Sequence, residues 1–204
     1  MSADSLPRME RVPDPAARRE LILLLQVACS GELGAARAYL GHRAAVRGAE
    51  RGELSRILRD EVRHRRCLKK MLRDLGSAPD ARRERKMNRV GRLISAFCRV
   101  GGWFAPMYGA GKLESQNIRE YEHAARLALA AGCEARVEEL LVMAEVEWDH
   151  ERFFREKASS HALWRVSPGW TAPAPRESIR GSFAAFARLP VLPVEPVSVP
   201  WLVR

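Results

Sequence analysis

Two Glu-x-x-His pairs, Glu61–His64 and Glu147–His150, constrain this chain more than any other feature of it. Residues three apart share one face of a helix, so each pair presents a carboxylate and an imidazole together. Single glutamates, Glu32 and Glu114, precede the two pairs by 29 and 33 residues. At about 100° per residue, each carboxylate falls on an otherwise apolar stripe. Glu32 lies with Leu21, Leu25, Ala28, Ala36 and Tyr39, and Glu61 with Leu54, Ile57, Leu68 and Leu72. Glu114 lies with Met107, Ala110, Ile118, Tyr121 and Ala125, and Glu147 with Leu140, Met143, Phe154 and Ala158.

A buried carboxylate costs several kcal/mol unless it is paired or bound to a cation. Four of them on core-facing stripes therefore demand a cation. One Glu from each of two helices, plus Glu-x-x-His from each of two others, is the ligand set of carboxylate-bridged dimetal bundles. The expected ligands, and the expected catalytic centre, are Glu32, Glu61, His64, Glu114, Glu147 and His150. Oxygen-rich ligands with two imidazoles suit two iron ions, manganese being the other ion such a set accepts. A third pair, Glu120–His123, falls with Lys112, Arg119 and Arg126 and is expected to face solvent.

The fold implied is all-α: an antiparallel four-helix bundle over residues 14–161, after a flexible leader (1–13) and before an irregular Pro- and Trp-rich tail (162–204). Asp14-Pro15 reads as a cap and first turn. The helices are expected to about Arg47, over about 50–75, 88–131 and 134–160, with 77–87 a charged connection. Gly101-Gly102 and Pro106 mark a weak point in the third helix, and residues 176–188 form one short further helix.

The formal charge is +10, but cations and acids are interleaved along the helices. No nucleic-acid motif accompanies them, so no nucleic-acid partner is expected. The four cysteines form no CxxC pair, as in reduced thiols of a cytoplasmic protein. The N-terminus has no apolar signal core, and the apolar run Leu21–Leu25 is too short to span a bilayer.

The stretch Gly31-Glu32-Leu33-Gly34-Ala35-Ala36-Arg37-Ala38-Tyr39-Leu40-Gly41 resembles the GExGAxxxYxG motif of the demethoxyubiquinone hydroxylases. Asp60-Glu61-Val62-Arg63-His64 followed by Leu68-Lys69-Lys70 is similar to that family's second helix, and both Glu-x6-Tyr spacings agree. The resemblance covers about residues 25–155. It implies a ferritin-like di-iron monooxygenase that uses O2, an external electron donor and a hydrophobic quinone-like substrate. It also implies contact with the inner face of a membrane. A ferroxidase or peroxide-scavenging bundle is the second expectation, and a non-enzymatic basic scaffold the third. Departures at Glu120, His42 and Gly109–Leu113 bear on the substrate more than on the metal. Tyr39, Tyr121 and Asp60 are expected behind the ligands, and Glu151, facing partly inward, is the weaker candidate for an extra carboxylate.

Overall fold

The computed structural model describes residues 12–189. The ends of the leader and tail, with Val191, Leu192 and Trp201, lie outside the described residues. Six α-helices follow in order: α1 (Pro15–Ala45), α2 (Gly48–Asp74), α3 (Ala81–Val100), α4 (Phe104–Ala130), α5 (Val137–Ser159) and α6 (Glu177–Ala187). No strand occurs among the described residues.

Asp14 caps α1, accepting from the Ala16 N–H at 2.7 Å, with Pro15 opening the first turn. Contacts between helices fix their directions. Arg18 reaches Leu75 and Arg65 reaches Cys29, so α1 and α2 are antiparallel. Tyr39 meets Glu114 and Tyr121 meets Glu32, so α1 and α4 are antiparallel too. Glu50–Lys157 and Asp60–His150 set α2 antiparallel to α5. The four site-bearing helices are thus two hairpins, α1/α2 and α4/α5, as in ferritin-like bundles.

The expected third helix divides into two. α3 already begins at Ala81, where Asp80 accepts from the Arg83 N–H at 2.8 Å, so most of the supposed connection is helical. The chain breaks at Gly101-Gly102, where Gly102 takes φ +76°, a backbone state open to glycine. Because α2 and α4 run the same way, the link between them must return the length of the bundle, and α3 makes that return. It lies parallel to α1, through Gln26–Ala78, Cys29–Glu84 and Arg37–Asn88. The approach is backbone to backbone: a Cβ on Gly41 would stand 2.0 Å from the Ser95 carbonyl, and one on Gly91 2.3 Å from the Gly34 carbonyl.

Two apolar clusters flank the carboxylate layer. One gathers Leu21, Leu25, Leu68, Leu72, Ile118 and Leu140. The other gathers Tyr39, Leu54, Ile57, Met107 and Phe154. α1 is long and apolar enough to cross a membrane, yet here it is the central helix, packed on α2, α3 and α4. The described part of the tail straps over the bundle. Trp164 and Trp170 join the second cluster, and Ile179 and Phe183 of α6 join the first.

Candidate metal centre

The six expected residues come together, one turn from each hairpin helix supplying them. All six are almost wholly buried; Glu61, Glu147 and His150 are 0% exposed. Two overlapping groups form. Glu61, Glu114, Glu147 and His150 bring ligand atoms within 4.8 Å of one another, as do Glu32, His64 and Glu147. Glu147 belongs to both, the position of a bridging carboxylate.

Each histidine aims Nδ1 inward. His64 Nδ1 lies 2.8 Å from Glu147 Oε1 and 3.7 Å from Glu32 Oε1. His150 Nδ1 lies 3.5 Å from Glu61 Oε1 and 3.6 Å from Glu147 Oε2. The outer nitrogen of His150 faces Asp60 at 3.5 Å, and Asp60 is held in turn by Arg56 at 3.1 Å. Asp60 is thus placed to orient the ring, as carboxylates behind ligating histidines do. Its carboxyl is held below the usual range, chiefly by that bond to His150.

Electrostatics describe a centre built for cations. Burial pushes Glu61 and Glu114 well above the usual carboxylate range, and neighbouring carboxylates add to it. Burial opposes the charge on His64 and His150, but the carboxylates outweigh it and hold both rings at about 10. Burial also works against ionised Glu147. The nearby Glu114 and the two histidine rings outweigh it, and Glu147 stays well below the usual range.

The donor set fits two divalent ions on structural grounds. Glu32 Oε2, both Glu61 oxygens, Glu147 Oε1 and both inward Nδ1 atoms are buried without a hydrogen-bond partner. Orphaned polar atoms in a core are rare and costly. Here they converge, and four carboxylates with two neutral imidazoles balance two 2+ charges.

Residues 24–158 match the Rubrerythrin family. The chain belongs to the rubrerythrin family. Neither the curated proteins nor the solved structures yielded a match. A rubrerythrin-family bundle with this buried cluster is a di-iron oxidoreductase of the ferritin-like class, and its carboxylate–histidine set fits two iron ions.

Two tyrosines complete this rubrerythrin-family centre. The Tyr39 hydroxyl donates to Glu114 Oε1, and the Tyr121 hydroxyl donates to Glu32 Oε1. Sequence reasoning missed Asn117, one turn beyond Glu114 on the same face. Its amide donates to Glu114 Oε2 at 3.0 Å and reaches Glu147 Oε2 at 3.5 Å.

Outside the ligand groups one expectation is corrected, that of His123. Glu151 is 2% exposed, but Arg155 and the Trp170 indole hold it away from the centre. His123 does not face solvent: it is 9% exposed and meets Glu20 of α1 at 3.3 Å. His42 stands outside the ligand groups yet is 1% exposed, stacked on Phe154, with Nε2 unpartnered. The four cysteines are free thiols, and burial pushes Cys29 up to about 11.

Proposed function

We propose that this protein is a di-iron monooxygenase that hydroxylates a hydrophobic, quinone-like organic substrate. The observation carrying the reading is a pocket of about 670 Å³ between α1, α3 and α4, bordered by Glu32 and Tyr121. That space is of the order taken by drug-sized ligands and far larger than O2 or peroxide needs. Val27, Ala28, Met87 and Leu113 give it an apolar wall.

In this reading Glu32 and His64 would hold one iron and Glu61, Glu114 and His150 the other, with Glu147 within reach of both. The bound iron supplies the O2-activating redox chemistry. One oxygen atom enters a C–H bond and the other leaves as water, with two electrons and two protons from an external donor. Tyr39 and Tyr121 donate to Glu114 and Glu32 and fix those carboxylates, and Asn117 steadies Glu114 and Glu147. Asp60 keeps the His150 proton on the outer nitrogen, so that the inner one stays a ligand.

A peripheral membrane contact belongs to the same reading and sits on α3. Leu93, Phe97 and Val100 are 73%, 58% and 85% exposed on its outer side, with Arg89, Arg92 and Arg99 around them. An apolar ridge with cations suits an anionic bilayer surface. Co-sedimentation with phosphatidylglycerol vesicles tests it; binding unchanged by Leu93→Ser, Phe97→Ser would remove the contact.

The activity is tested by reducing the iron-loaded protein and adding 18O2 with a prenylated methoxyquinol. The reading expects one 18O atom in the ring product. Fast hydrogen peroxide consumption with no oxygen incorporated into any quinol would favour a peroxide-scavenging bundle instead.

A further inference from the structure

The pocket is not uniformly apolar along its length. Its floor is Glu32 and Tyr121, its wall is Val27, Ala28, Met87 and Leu113, and its rim is the first turns of α3. Three cations stand on that rim, Arg82, Arg83 and Lys86. Two carboxylates join them, Asp80 and Glu120. Asp80 is committed to capping α3, its Oδ1 taking the Arg83 N–H at 2.8 Å. Three cations against two carboxylates leave the rim net positive, on a chain whose formal charge is +10. The floor does not oppose an anion either, because two divalent ions would balance the four carboxylates of the centre.

We infer that the substrate is an amphiphilic organic anion: an apolar or aromatic body carrying a carboxylate, sulfonate or phosphate at the end farthest from the reacting carbon. This rests on the hydroxylase reading and narrows it. The anionic head sits among Arg82, Arg83 and Lys86, the body lies along the apolar wall, and the far end reaches the metal-bearing floor. Charge at the rim also favours capture, since a cationic mouth raises the local concentration of an anion.

Gly31 supports the same path. It lines the pocket beside Glu32, and a Cβ built there meets no atom within 4 Å. A larger side chain at 31 would fill the route without forcing the helices apart.

A matched pair of fluorescent probes tests the inference on the iron-loaded protein without turnover. 1-Anilinonaphthalene-8-sulfonate carries the anion, and N-phenyl-1-naphthylamine is the same aromatic body without it. Replacing Arg82, Arg83 and Lys86 by Gln should weaken the sulfonate probe by about tenfold or more, the scale of a lost charge-assisted contact, and leave the neutral probe unchanged. Gly31→Phe should abolish pocket binding of both while iron content holds. Added NaCl should weaken only the sulfonate. Sulfonate binding that survives Gly31→Phe, or that the Gln variant leaves intact, overturns the inference. The two readings fail separately. Charge-dependent probe binding without 18O incorporation into either the prenylated quinol or a quinol bearing a terminal carboxylate sinks the hydroxylase alone, and incorporation without charge dependence sinks the anion alone.

Discussion

Tyr39 of α1 donates its hydroxyl to Glu114 of α4. Tyr121 of α4 returns the same bond to Glu32 of α1. Each hairpin thus holds the other's lone glutamate, and the Glu-x6-Tyr spacing repeated in the sequence is the trace of that exchange. A donor on a carboxylate draws electron density from it and weakens it as a ligand to the oxidised ion. Tyr39→Phe and Tyr121→Phe should each keep the iron but lower the midpoint potential of the pair. Spectroelectrochemical titration reads this; unchanged potentials would mean that the hydroxyls only fill space.

Asp60 should matter through His150 alone. Asp60→Asn keeps the shape and loses the charge facing Nε2. Iron affinity should fall about 10- to 100-fold, the usual cost of losing a partner behind a ligating histidine. Competition with a chelator measures it, and wild-type affinity in Asp60→Asn would assign Asp60 to the surface pair with Arg56.

His42 should make the fold acid-sensitive. Burial lowers its pKa from 6.5 to about 4. The unfolded chain therefore binds a proton that the folded chain refuses between those values. Stability is fully present above pH 6.5 and is lost as pH falls toward 4, by about 3 kcal/mol in total. The rings beside it, Tyr39 tilted and Phe154 stacked, carry no charge in that window. Denaturant titrations of wild type and His42→Leu across pH 4–7 should diverge in slope. Parallel curves would contradict the assignment.

Gly41 at the α1–α3 crossing contrasts with Gly109 on α4. In Gly41→Ala the new methyl meets the Ser95 backbone at 2.0 Å, and overpacking of this kind costs about 1–3 kcal/mol. In Gly109→Ala nothing lies within 4 Å, and α4 should gain up to about 1 kcal/mol. Thermal melts should move in opposite directions, with iron content unaffected. A Gly41→Ala protein as stable as wild type would mean that α3 does not pack as described.

The centre was legible because a charge on an apolar stripe has few explanations. Glu32, Glu61, Glu114 and Glu147 each broke a run of core residues, so periodicity alone aimed them inward. The separate identity of α3 was harder to see: residues 88–100 were expected inside one long third helix, and 81–87 as a link. It buries only Gly91 and Cys98, its apolar stripe Leu93, Phe97 and Val100 faces outward, and the charged residues of its first two turns read as a solvated link. Helices that meet through glycine backbones carry little periodic signal. Burial of His123 and His42 depends on Glu20 and Phe154 from other helices, which spacing within one helix does not reveal. Asn117 was within reach, since it follows Glu114 by three residues on the same face.

The central claim is that these six residues hold two irons. Metal analysis of protein expressed with iron, beside a Glu114→Ala, Glu147→Ala double variant, tests it most directly. The account predicts about two irons per chain, as a six-ligand carboxylate bundle binds, and their loss in a double variant that still folds. Wild-type protein without stoichiometric iron or manganese, or a double variant that keeps both ions, would contradict it.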